Sequence, residues 1–372
     1  MKWKTRGTYL LSLLVSILLG LGVGALLMLV TGHDPIRGYA DMLNGALGSK
    51  WAPGTILENR ELGNTLYRIG LLVITGMATA VASEGGIFNV GGQGQMVLGA
   101  MFSAWLGASL PTLLPFTAGW PAWLAAAVCL LAGALAGALY ALIPALMKTG
   151  LKINEVITTI LMNTVAMVFC QFMVSKSGPI GDPRKGGQTA MILSDWKLER
   201  FFRSSNLSQA IFIVIGMTLL VWYLMSQTTF GYRMRMSGQN SRFAKFSGVK
   251  AARLAVVGML ISGALCGAAG MLEVFGWRGR FVPDKSWDIY WDGMLVAMIM
   301  HYKPLGIILM SCFFGILKSG AVSIQRTIPS ELSLIIQSII IFFMAAEQGM
   351  IDRFRSRRAR RKPDPQREVE KA

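Results

Sequence analysis

Residues 84–95 read EGGIFNVGGQGQ: five glycines, one Asn and two Gln, between apolar runs at 62–82 and 96–114. Glycine frees the backbone from helical geometry, and side-chain amides donate and accept hydrogen bonds. At membrane depth, non-helical backbone is tolerated only where protein or water covers it, and transporters use such breaks to set polar groups beside a solute path. Phe88, Asn89, Gln93 and Gln95 are therefore candidate path residues. An aromatic face with amides suits a nucleobase or a sugar, and other polar ligands as well. The alternative is an ordinary cytoplasmic turn with Phe88 anchored at the interface. The stretch is not GxGxxG: Gly92 and Gly94 fit, but Val97 takes the third position.

Charged residues inside apolar runs form the second candidate set: Glu84, Glu155, Glu273, Asp292 and Lys318. A charge at the centre of a membrane helix costs about 2.5–3.5 kcal/mol on insertion scales, so one that is kept usually faces a cavity or a bundle interior. Glu155 has two readings, a path residue or a carboxylate favoured by the dipole at a helix start. Glu273 reads as an outer-boundary residue, and Asp292, between Trp291 and Gly293, as a cavity-facing one. There is no GxxxxGK[ST], GxSxG or HExxH. Two histidines, His33 and His301, and four cysteines, Cys129, Cys170, Cys266 and Cys312, show no ligand spacing, so no metal, cofactor, disulfide or catalytic residue is expected.

These residues need a membrane frame. The 372 residues are 53% hydrophobic and 15% charged, against about a quarter charged in soluble domains. Mean hydropathy is +0.51. The expected fold is all-α, a polytopic membrane helix bundle with about ten spans: 8–30, 62–82, 92–114, 121–147, 153–174, 209–227, 254–274, 287–302, 304–323 and 332–351. The eighth is short, and the Gly-rich segment breaks the bundle between the second and third.

Lys2, Lys4 and Arg6 set the N-terminus in the cytoplasm, and ten crossings return the C-terminus there. Residues 228–253, with six basic and no acidic residues, then lie inside. So does the tail 352–372, with nine basic against four acidic, expected to be disordered beside a permease domain of 1–351. Segment 175–208 falls outside yet carries six basic against three acidic residues, which opposes the rule. The net charge of +17 thus points to membrane topology and anionic lipid rather than to nucleic acid. Gly133 with Gly137, and Gly263 with Gly267, are spaced for close helix packing.

Three stretches resemble permeases of bacterial ABC importers of the branched-chain amino acid, ribose and nucleoside superfamily. GIFNVGGQGQMVLGAM is similar to their FNIGxEGQ-type stretch. KINEVITTILMNTVA, which contains Glu155 and Asn163, is similar to the NEVI-type helix of the nucleoside and simple-sugar branch. YWDGMLVAMIMHYKPLGIIL resembles that branch's DGIAVALLGxxxPLG. Residues 231–254 resemble the cytoplasmic coupling loop, with Gly231, Arg233, Arg235, Gly238, Asn240, Ala244 and Gly248 matching. Three departures stand out. Ser241 and Arg242 follow Asn240, where the family often has Asn-Pro followed by Ala-Ala. AMIMH, with Met298, Met300 and His301, stands in place of ALLGR. Gln93 follows a second glycine, where relatives often have an acid or Ala nearby. The resemblance implies a multi-pass permease of the inner membrane. Its partners would be a cytoplasmic ATPase, a second permease and an extracytoplasmic binding protein. Nucleosides are the first expected cargo and simple sugars the second. A self-sufficient secondary carrier or channel is the reading from another class.

Overall fold

The computed structural model describes residues 2–48, 59–201, 205–326 and 328–344; the tail 352–372 lies outside them. The described elements are helical apart from two isolated bridges, Gly181 with Thr189 and Arg200 with Ser208. They are α1 Lys2–Val30, α2 Pro35–Leu47, α3 Arg60–Glu84, α4 Gly92–Leu113, α5 Ala122–Leu151, α6 Glu155–Met173 and α7 Ala210–Gln227. After these come α8 Thr229–Gln239, α9 Ser241–Phe246, α10 Ala251–Glu273, α11 Ile289–Ile299, α12 Pro304–Ser323 and α13 Ser330–Met344.

Each of the ten expected spans falls on a helix within the described residues, the tenth only as far as Met344 because 345–351 lie outside them. Among the described residues only seven helices are long and apolar enough to cross a membrane alone. They are α3, α4, α5, α6, α7, α12 and α10 continued to Arg278; α1 from Leu14 with α2 makes an eighth if that pair, bent by 119°, is one span. The expected span 287–302 holds only the 11 residues of α11. His301 and Tyr302, with φ of 51° and 59°, turn the chain there before Pro304 opens α12.

The chain divides into two units, residues 47–316 and residues 1–46 with those from 317 onward. In the second unit, Tyr39 of α2 donates to the Leu21 carbonyl of α1 at 2.6 Å, and Ser333 of α13 to the Ala321 carbonyl at 2.6 Å. In the first, α10 is the centre and α3, α4, α5 and α8 pack on it. The two small-residue pairs expected to mark packing meet each other: a Cβ on Gly137 would stand 2.9 Å from the Gly267 Cα. Gly99 of α4 abuts the Gly267 backbone from another side. Three helices thus approach to backbone contact where any side chain would separate them. The opposite face of α5 exposes Leu131, Leu135, Leu139, Ile143 and Leu146, while Ala125, Ala126, Cys129, Gly133, Gly137 and Ala141 are buried. Small residues inward and large apolar ones outward is the pattern of a helix whose outer solvent is lipid.

Candidate functional site

The Gly-rich break lies within the bundle. α3 ends at Glu84, Gly86 takes φ +89°, and α4 starts at Gly92. Asn89 Nδ2 donates to Ser262 Oγ at 2.9 Å, eleven residues into α10, or about 16 Å along its axis. Gly94 N donates to Asn163 Oδ1 at 2.8 Å, and Asn163 Nδ2 to the Val90 carbonyl at 2.9 Å. Asn163 is eight residues into α6, about 12 Å. One side chain therefore satisfies an orphan N–H of the α4 start and a carbonyl of the break, which lipid would leave unpaired.

Asn89 is 0% exposed. Its Nδ2 also reaches Gln95 Oε1 at 2.8 Å, while its Oδ1 accepts from Gly91 N at 3.0 Å and Gln95 Nε2 at 3.2 Å. Tyr290 of α11 donates its hydroxyl to the Asn89 carbonyl at 2.5 Å, with Thr79 Oγ1 3.3 Å from that hydroxyl. A Cβ at Gly92 would fall on the Tyr290 ring. In this conformation Asn89, Gln95 and Asn163 hold the break closed, each bond worth about 1 kcal/mol net and more if its partner were left buried and unpaired.

Gln93 differs. It is half-buried, its Nε2 donates to Asp288 Oδ1 at 2.7 Å, and its Oε1 accepts from Trp291 Nε1 at 2.9 Å. Asp288 is exposed, while Trp291, Asp292 and Phe88 are half-buried. The Asp292 and Glu273 carboxylates lie within electrostatic range of the half-buried Arg68 of α3. An amide, a carboxylate and an indole thus meet at the start of α4.

Glu155 turns elsewhere: it pairs with Lys148 at 2.6 Å across the α5–α6 connection, in a helix start capped by Asn154. Glu273 lies at the end of α10, as expected, but it is a bonded residue rather than a bland one. It is buried, accepts from the Tyr67 hydroxyl and holds Arg278 Nε at 2.9 Å. Arg278 also donates to Asp284 at 2.7 Å and stacks on Trp277 and Trp287 at 5.0 and 5.5 Å. Ser262, Asp288, Tyr290, Trp291 and Arg68 escaped the sequence reading. The aromatic pair ahead of Asp292 was the one available signal.

The loop 228–250 folds as α8 and α9, capped by Thr228 and hinged at Asn240, whose Oδ1 accepts from Phe243 N at 2.9 Å. Of its matched residues, Gly231 and Ala244 are buried and Arg235 is half-buried, while Gly238 is exposed on one side and turns its Cα hydrogen toward the bundle on the other. Gly238 meets the Glu84 carbonyl, and half-buried Arg235 donates to the Met225 carbonyl and lies 3.9 Å from Glu84. Met234 is fully buried, its Cε against Gly85 and Gly258. Arg233, Asn240 and Gly248 are exposed, together with Tyr232, Arg242, Phe243 and Phe246, the last at 91%. One face of the loop therefore touches the Gly-rich break, and the other presents aromatic and basic groups to solvent.

Residues 62–345 match the family described as branched-chain amino acid transport system / permease component. The guanosine ABC transporter permease protein NupP of Bacillus subtilis is 30% identical over 350 residues, 93% of this chain and 95% of that protein. The nucleoside ABC transporter permease protein NupB of Lactococcus lactis is 30% identical over 344 residues, 90% of each. The glucose ABC transporter permease protein TsgB13 of Haloferax volcanii is 24% identical over 359 residues, 93% of this chain and 88% of that protein. No solved structure matches significantly. A helical bundle with a buried Gly-rich break, matched over most of its length and aligned nearly end to end with such relatives, belongs to the branched-chain amino acid transport system permease component family: it is a multi-pass membrane permease subunit of an ABC transport system.

Proposed function

We propose that this chain forms half of the translocation path of an importer for nucleosides in the bacterial inner membrane. The observation that carries the reading is the group Gln93, Asp288 and Trp291. An exposed carboxylate beside residues in mid-bundle would cost about 2.5–3.5 kcal/mol against lipid, and costs little against a wet path. The carboxylate and amide suit sugar hydroxyls and exocyclic amines, and an indole suits a flat base. Phe88 and Asp292 complete this wall. Asn89, Gln95, Asn163 and Glu155 act behind it, the first three by holding the break. The similarity to a guanosine permease and a nucleoside permease supports the cargo class. Both termini and the loop 228–250 are cytoplasmic, the loop as part of a permease domain of 1–351 and the tail 352–372 beyond it. The exposed face of the loop docks on a separate ATPase, and a second permease and an extracytoplasmic binding protein complete the system.

The test is uptake of labelled guanosine, uridine and glucose in a strain deleted for this gene. Guanosine or uridine uptake should fall to background and return with the wild-type gene but not with Asp288→Leu of equal membrane abundance. Unchanged nucleoside uptake on deletion overturns the reading, and loss of glucose uptake alone replaces it with a sugar importer.

A further inference from the structure

The connection between α6 and α7 carries the positive charge that the topology rule would exclude from the outer side. It is a folded cap. Its backbone runs along the chain leaving α10: Thr189 N donates to the Phe281 carbonyl at 3.1 Å, Ile192 N to Gly279 at 2.9 Å and Leu198 N to Phe275 at 3.1 Å. Ile192 and Trp196 are buried beneath it. This arrangement gathers three cations. Arg200 is fixed by donating Nη2 to the Trp277 carbonyl at 2.9 Å. Lys197 lies over Gly279, at φ +69°, where a Cβ would stand 2.7 Å from Nζ. Arg280 follows directly in the chain. Desolvation, Arg200 and Arg280 together push the Lys197 ammonium below its usual range.

Among the described residues none of the three makes an ion pair. The contrast with Arg278 next door is sharp, since Glu273 and Asp284 both neutralise it. The neighbouring carboxylates Glu199 and Asp195 accept from neutral donors, Gln209 at 3.1 Å and Ser194 at 2.9 Å, and form no ion pair with the trio among the described residues. Like charges held together by this backbone pairing destabilise the free protein, and an opposing surface relieves that cost on contact. The trio also sits at the far end of α10 from the loop 228–250. The 28 residues Ala251–Arg278 span about 42 Å, so a partner here is on the other side of the membrane from the ATPase.

We propose that Lys197, Arg200 and Arg280 form a docking site for the acidic face of the extracytoplasmic binding protein. This rests on the importer reading above for its side and its partner. The guanidinium of Arg200, fixed on the Trp277 carbonyl, favours a folded carboxylate surface, because anionic lipid would be served as well by mobile lysines.

The experiment uses the permease pair with its ATPase in phosphatidylcholine nanodiscs, titrated with the nucleoside-loaded binding protein encoded beside this gene. Wild-type affinity should fall at least about tenfold as salt rises from about 50 to 300 mM, as close charge pairs require. Lys197→Glu with Arg280→Glu should cost at least about tenfold at low salt, and Lys197→Gln with Arg280→Gln a smaller part of it. A charge reversal on the binding protein should restore the first pair. Affinity that ignores salt and both variant pairs overturns the proposal. So does an effect of the variants that appears only when phosphatidylglycerol is added, which makes the trio a lipid site. If docking behaves as expected but the assembled wild type moves no nucleoside, the cargo reading fails and the docking site stands.

Discussion

Met234 is the point where the cytoplasmic loop meets the Gly-rich break, and a double-mutant cycle with Gly258 measures that contact. Truncating this fully buried side chain (Met234→Ala) should cost about 2–5 kcal/mol, the transfer of the lost atoms plus a cavity between α3, α8 and α10. A methyl added at Gly258 (Gly258→Ala) would stand 2.7 Å from Met234 Cε and 3.4 Å from the Val81 carbonyl. The methionine end must move away, for about 1–3 kcal/mol. In the double variant the new methyl enters the space the methionine left, so the two losses should not add. The expected coupling is about 1 kcal/mol or more in favour of the double. Unfolding of the detergent-solubilised protein gives the energies. Nucleoside transported per ATP hydrolysed gives the function, which should drop in each single variant and recover in part in the double. Losses that add within about 0.5 kcal/mol would falsify the contact.

In a background lacking the four native cysteines, Gln93→Cys should react with a water-soluble thiol reagent, while Asn89→Cys should stay inert in the conformation described, being fully buried; equal labelling would mean that the break is open at rest. Gly267→Leu should abolish accumulation in the membrane, because it would push apart α4, α5 and α10; normal accumulation would show that the three helices have room to separate. Phe246→Asp with Arg233→Glu, both on the exposed face of the loop, should leave the chain in the membrane but release the ATPase on co-purification; retention of the ATPase would move the docking face elsewhere.

Bilayer thickness demands about 20 apolar residues per crossing, so the helical runs and the membrane class could be read from residue order alone. Within the described residues all ten runs are helical for that reason, the tenth as far as Met344. The count of crossings could not be read in the same way, since α11 stops at 11 residues where His301 and Tyr302 turn left-handed. Paired small residues were visible as Gly133/Gly137 and Gly263/Gly267, yet their facing one another, with Gly99 as a third party, is a tertiary fact. The amides of the break make the same point more sharply. Asn89 and Gln93 are alike in chemistry and four residues apart, but the non-helical backbone between them destroys any helical phase. Whether an amide turns to Ser262 inside or to Asp288 outside was decided by α10 and α11 closing around it. In the loop, Arg233 and Arg235 look equivalent as charge. Two positions apart on a helix they point to opposite sides, and only the seating of Met234 against Gly85 and Gly258 determined which one stays in water.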